Sequence, residues 1–217
     1  MDYRIQTAVI VTGVSCFVLV ESLRAEMHGV AAISKVIASC GFLAVAILAG
    51  ALRSTYGRIL LAGLACSFAG DVLLIGESQR FFLLGLSAFL LAHLTYVAAF
   101  VGRGTNLRWM ALAGLPVIGI AVVVMRWLAP HTPPELTLPV FLYTTVISGM
   151  VIAAFGTRGS GAPVLILAGA LLFFMSDLSV AAQRLVQMEF PTYIWGLPLY
   201  YAGQVCLALS VSQSRSH

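Results

Sequence analysis

Four ionisable side chains interrupt otherwise apolar stretches of this sequence: Lys35, Asp71, His93 and Asp177. Such groups are costly in hydrocarbon, and they persist there where they pair, line a wet cavity or do chemistry. Two carboxyl groups and a lysine at one level would suit general acid–base catalysis, cation binding or proton relay. Each of these uses requires the groups to meet. Whether they do depends on the elements that carry them.

The composition defines those elements. Of 217 residues, 60% are apolar and 9% charged, and the mean hydropathy is +1.00. A soluble domain is about half apolar and a quarter charged, and one of this size buries only about 70% of its surface. The excess calls for lipid. Disorder, a nucleic-acid module and a small secreted scaffold are excluded, and the net charge of +4 is too dispersed to suggest a nucleic-acid partner. The first apolar run, Ile5 to Val20, leads directly into Glu21-Ser22-Leu23-Arg24 without a small-x-small cleavage site. It therefore reads as a span, not a removable signal. Cys16, Cys40, Cys66 and Cys206 all fall in apolar runs without ligand spacing and read as packing residues.

Charged or Pro/Gly-rich breaks divide the chain into stretches of the roughly 20 residues that a bilayer core requires. These are Ile5–Val20, Val30–Leu52, Ile59–Ile75, Phe81–Val101, Trp109–Leu128, Leu136–Phe155, Pro163–Ala182 and Tyr193–Val211. The expected fold is an all-α integral membrane protein: one domain, 1–217, forming a single bundle of eight transmembrane helices. Arg4, Arg53, Arg58, Arg103, Arg108, Arg158 and Arg215 fall on the side of the N-terminus, opposed only by Asp2. The other side mixes Arg24, Arg80, Arg126 and Arg184 with Glu21, Glu26, Glu77, Glu135 and Glu189. Basic residues concentrate in cytoplasmic loops, so both termini are expected inside. A bacterial inner membrane is the expected location. Trp109, Trp127 and Trp195 sit at helix ends, as interfacial aromatics do.

In that arrangement Lys35 lies roughly 8 Å below the outer end of the second helix, and Asp71 reaches a similar depth on the third. Asp177 lies about 10 Å from the outer end of the seventh. Tyr143 and Tyr200 share this layer, while His93 and Gln204 sit nearer the midplane. Taken singly, each has a plain reading. Asp71 could pair with Arg80, Lys35 could reach the interface along its stem, and His93, with Phe89 and Tyr96 on its face, could be a satisfied core histidine. Two carboxylates and a lysine at matched depth are harder to set aside. A short internal echo brings the aspartates together: Ala69-Gly70-Asp71-Val72-Leu73 and Met175-Ser176-Asp177-Leu178-Ser179 occupy the third helix of each four-helix half, and each is followed by Gln-Arg. Parallel halves would face the two aspartates across a central cavity, apolar below and polar at its outer end.

These motifs resemble the YhhN/TMEM86 family of multispanning membrane proteins, whose characterised animal members are lysoplasmalogenases. The likeness runs from Lys35 to Gln204. It is carried by Gly70-Asp71-Val72-Leu73-Leu74, Phe82, Gly85-Leu86, Phe89-Leu90, Ala92-His93-Leu94-Thr95-Tyr96, Gly169-Ala170-Leu171-Leu172-Phe173, Ser176-Asp177 and Tyr201-Ala202-Gly203-Gln204. Val36 stands where the family often has proline, and Ala181-Ala182-Gln183-Arg184-Leu185 lacks its usual phenylalanine. The resemblance implies hydrolysis of the vinyl ether of a lysoplasmalogen to a fatty aldehyde and a glycerophospho-headgroup, with a lysophospholipid or ether lipid as substrate and no cofactor. Vinyl ether cleavage begins with protonation of the β-carbon, which generates an oxocarbenium ion. It thus needs a proton donor and an anion, and two carboxyls in unlike settings supply such pairs in glycosidases. An apolar setting favours the neutral carboxyl and a neighbouring ammonium the ionised one. Asp177, expected in the more apolar setting, is assigned as acid, and Asp71, near Lys35, as anion or base. Lys35, His93, Tyr96, Tyr143, Ser176, Tyr200 and Gln204 would orient water and substrate, and Lys35 could meet the lipid phosphate as a point charge.

The alternative is a proton- or cation-coupled transporter using the same aspartates, against which Pro116, Pro139 and Pro198 do not fall in matching positions of the two halves. A zinc hydrolase is disfavoured, because His28, His131 and His217 fall outside the spans and no metal site is expected.

Overall fold

The structure is a computed structural model that describes residues 2–213. Arg215 and His217 lie outside the described residues. Among the described residues, eight helices are long and apolar enough to cross a membrane: α1 (Tyr3–Arg24), α2 (His28–Leu48), α3 (Thr55–Leu73), α4 (Gln79–Arg103), α5 (Leu107–Leu128), α6 (Pro134–Arg158), α7 (Val164–Ala181) and α8 (Tyr193–Gln213). The all-α membrane bundle expected from hydropathy is the observed architecture.

Helix starts carry the side chains that satisfy free backbone N–H groups. The Asp2 carboxylate accepts from Arg4 N, Ser54 Oγ from Gly57 N, Ser78 Oγ from Phe81 N, and Asn106 Oδ1 from both Arg108 N and Trp109 N. The helix ends fall within four residues of the expected spans, and two of them redirect the chain. α2 stops at Leu48 and not Leu52, because Gly50 takes φ +91° and turns the chain into a short 3-10 segment, Ala51–Arg53. After α7 the chain does not leave as an open loop at Gln183. Ala182–Val186 form a π-helical turn closed by Gln187 at φ +54°.

Six helices close a ring in the order α2, α3, α4, α6, α7, α8, with α8 returning to α2; α1 packs outside on α2 and α8, and α5 outside on α6. α5 is the least buried helix, with 11% of its most apolar stretch covered. Advancing every helix by four maps the ring onto itself, so the internal echo is a two-fold repeat of packing. Glycines allow close seams at equivalent places in the two halves. A Cβ on Gly63 of α3 would meet the Tyr96 ring of α4 at 2.5 Å, and one on Gly169 of α7 would lie 2.9 Å from the Gly203 carbonyl of α8. Phe173 occupies the middle of the ring, with its centroid 4.5 Å from His93, 5.3 Å from Tyr200 and 6.0 Å from Phe89.

Candidate active site

At the end of the bundle where α3 and α7 terminate lies a cavity of about 260 Å³. Lys35, Asp71, Tyr143, Ser176, Asp177 and Tyr200 all line it, so six residues proposed from sequence converge on one space. Val124, Leu128, Val140 and Ile147 make an apolar wall.

Each aspartate is gripped in the same way. Asp71 Oδ2 accepts hydrogen bonds from Ser39 Oγ of α2 and Tyr200 OH of α8, both at 2.7 Å. Asp177 Oδ2 accepts one from Tyr143 OH of α6 at 2.7 Å and lies 3.1 Å from His93 Nε2 of α4. In both cases the carboxylate on the third helix of a half is held by the second helix of its own half and the fourth helix of the other. Ser39 therefore corresponds to Tyr143, and Tyr200 to His93.

Proton counting orders these contacts. A hydroxyl has one proton to give. With Ser39 donating to Asp71, the Lys35 carbonyl is served by Tyr201 OH at 3.3 Å. With Tyr143 donating to Asp177, its oxygen can accept from His93 Nε2, 3.0 Å away. His93 Nδ1 is buried without a hydrogen-bond partner among the described residues. The proton of a neutral imidazole thus belongs on Nε2, where both acceptors are.

The environments differ from the expected ones. Asp71 is the more enclosed carboxylate, 3% exposed, whereas the Asp177 side chain retains 15% exposure. Asp177 lies not in the more apolar setting but beside a histidine and a tyrosine. Asp71 makes no ion pair with Arg80; its contacts are hydroxyls, with Lys35 in electrostatic range.

Three proposed residues stand back from the cavity. His93 is fully buried and reaches the space only through Asp177 and Tyr143. Tyr96 and Gln204 are also fully buried and form a separate tie: Tyr96 OH donates to Gln204 Oε1 at 2.9 Å and is 3.2 Å from Ser67 Oγ. They brace α3, α4 and α8 and do not touch the space where a substrate would sit.

Sequence reading passed over Ser39, Tyr201 and Arg184. Ser39 sits in a run of small residues that reads as helix packing, and its spacing of four from Lys35 was the available signal. Arg184 reads in sequence as one of the loop charges, yet it lines the cavity with its guanidinium carbon 5.3 Å from the Phe82 ring centroid. Among the described residues no three His, Cys, Asp or Glu side chains form a metal-binding group.

Comparison with known proteins agrees with the motifs. The chain matches the YhhN family over residues 6–211. It is 34% identical over 162 residues to lysoplasmalogenase TMEM86B of Sus scrofa and 32% identical over 170 residues to lysoplasmalogenase TMEM86A of Bos taurus. These alignments take in 73% and 72% of this chain and 66% of each relative, so the chain spans about two thirds of their length. The lysoplasmalogenase of Mycobacterium tuberculosis is 33% identical over 158 residues, covering 66% of this chain and 58% of that protein. No solved structure is significantly similar. With the family match running through nearly the whole bundle, the chain belongs to the YhhN family.

Proposed function

We propose that this protein hydrolyses the vinyl ether bond of a lysoplasmalogen within the membrane, releasing a fatty aldehyde and a glycerophospho-headgroup. One observation carries the reading: two carboxylates from matching helix positions line a single cavity with an apolar wall, each with Oδ2 engaged by donors. Relatives named lysoplasmalogenase at comparable identity favour hydrolysis over coupled transport by the same aspartates.

The chemistry distributes over the residues as follows. One carboxylic acid gives its proton to the β-carbon, and the double-bond electrons shift to make an oxocarbenium ion. Water adds to the cationic carbon and loses a proton to a base. The hemiacetal then collapses, with the glycerol oxygen leaving protonated and the aldehyde remaining; the net change is addition of one water. Asp177 is the better anion and base, because it is the less enclosed carboxylate and the His93 Nε2–H stands directly behind it as a donor that favours the ionised form. Asp71, gripped by two hydroxyls in the more enclosed position, becomes the acid. This reverses the assignment made from sequence, and the reason is the His93 contact. Tyr143 and Tyr200 fix the carboxylates, and His93 is a positioning residue acting through Asp177.

A bacterial inner membrane with both termini cytoplasmic is also proposed, and the seven arginines of the N-terminal side support its orientation. The cavity then opens toward the outer leaflet.

Purified protein given alkenyl and acyl lysophospholipids side by side tests the proposal. Free aldehyde from the alkenyl lipid, with the acyl lipid intact, is the expected result. Both lipids inert, with proton-coupled flux in proteoliposomes, would overturn it in favour of transport.

A further inference from the structure

The two halves of the bundle repeat each other around the carboxylates but not at the cavity's charged end. Gln-Arg follows each aspartate in sequence. Both arginines are exposed, but Arg184, in the second half, also lines the cavity, whereas its counterpart Arg80 does not. The π-helical turn makes the difference. It is closed by Thr192, whose N–H donates to Gln183 Oε1 at 3.1 Å and whose hydroxyl donates to the Ser179 carbonyl at 2.7 Å, while Ser179 Oγ returns a bond to the Thr192 carbonyl at 2.9 Å. This clamp holds the turn against α7 and α8, and Arg184 stacks on Phe82, another cavity residue. A stacked guanidinium loses little freedom and keeps its in-plane donors for a two-pronged acceptor.

Lys35 lines the same cavity from α2, within electrostatic range of Arg184. Neither cation forms an ion pair; among the described residues those are Arg24–Glu21 and His93–Asp177. Among the described residues the acids on the cavity wall are Asp71 and Asp177. The space is thus an amphiphile's mould, with an apolar wall, two carboxylates and two cations, Lys35 and Arg184, outside any direct ion pair.

We infer that Lys35 and Arg184 form a phosphate subsite, with the phosphodiester oxyanion of a single-chain lipid held between the ammonium and the guanidinium fork. The inference rests on the proposed hydrolysis for one feature, the placing of the glycerol ether on the carboxylates; the recognition of phosphate does not depend on it. Arg184 supplies the geometry and Lys35 the charge. A lipid of the same chain without phosphate is then a poor ligand.

The test uses saturated ether lipids, which have no vinyl group to cleave, so binding is read apart from turnover. The purified full chain in non-ionic detergent is titrated with 1-O-hexadecyl-glycero-3-phosphocholine, with 1-O-hexadecylglycerol and with inorganic phosphate alone, following the unfolding midpoint. Charge-assisted hydrogen bonds of this kind are worth about tenfold or more in affinity. The phosphate-bearing lipid is expected to bind at least that much more tightly than hexadecylglycerol. That preference is expected to vanish in Arg184→Gln and Lys35→Gln and to survive in part in Arg184→Lys, which also shows that the turn still folds. Equal binding of the two lipids by the unaltered protein, or an undiminished preference in Arg184→Gln, would overturn the subsite. Inorganic phosphate stabilising as well as the lipid would assign the cations to a free anion and overturn it as a headgroup site. A preference that holds while alkenyl lysolipid yields no aldehyde would uphold the subsite and reject the hydrolase reading.

Discussion

At the scale of single residues, the two cavity carboxylates are held by neutral partners. Four donors on four helices converge on two carboxylate oxygens, Asp71 Oδ2 and Asp177 Oδ2, and three of the four are hydroxyls. His93 is the exception, and its role is separable. His93→Gln retains a donor toward Asp177 but loses the rigid ring that holds that donor in line. It should lower kcat for alkenyl lysolipid by about 10- to 100-fold with KM little changed, and reshape the pH–rate profile. A rise in KM alone would make His93 a part of the binding wall. Ser39→Ala leaves Asp71 with one hydroxyl donor, and the loss of a hydrogen bond to a neutral carboxyl costs about 0.5–1.5 kcal/mol. Thermal unfolding in detergent should show that cost; an unchanged midpoint would mean that Ser39 serves only the Lys35 carbonyl. Sequence made the aspartates visible because a charge in an apolar run stands out. Their partners were visible only in part. Tyr143 and Tyr200 could be set at the right depth, but Ser39 is indistinguishable from the small residues that let helices approach.

At the scale of elements, hydropathy located every span, while the ends and seams depended on packing that composition does not encode. The π turn after α7 is the instructive miss. Gln183, Arg184 and Thr192 read as loop residues because they are polar, yet Thr192 and Ser179 tie the segment back and turn Arg184 into a cavity residue. The seams offer a direct check. A methyl group on Gly169 would press against the Gly203 carbonyl, a backbone atom that cannot step aside. Gly169→Ala should therefore destabilise the protein by about 1–3 kcal/mol, the usual cost of overpacking. Gly114 and Gly119 of α5 have nothing within 4 Å of the same added carbon. Alanine at either should leave the unfolding midpoint unchanged or slightly raised. Equal sensitivity at Gly169 and Gly114 would contradict the ring in which α5 stays outside.

At the scale of the molecule, a two-fold repeat builds one asymmetric site. The repeated ring brings two carboxylates to one cavity, and the departures from the repeat give them different surroundings: His93 where the other half has Tyr200, Tyr143 where it has Ser39, and Arg184 on the cavity wall where Arg80 is not. Orientation in the membrane is a separate proposal resting on loop charge. Reporters inserted in the 104–106 loop and fused after residue 217 should both read cytoplasm; a periplasmic signal from either would turn the cavity toward the opposite leaflet. The central claim is that Asp71 and Asp177 act as one acid–anion unit on a vinyl ether, and it is tested most directly by turnover of an alkenyl lysolipid by Asp71→Asn, Asp177→Asn and the double variant, each folded and monodisperse. Asparagine keeps the volume but can neither deliver a proton nor balance an oxocarbenium charge. Each single variant should lose about 10²–10⁴ in kcat, and the double variant should fall little further, because residues acting as a unit are not additive. Either single variant keeping more than about a tenth of the original turnover would remove that aspartate from the chemistry and contradict the account.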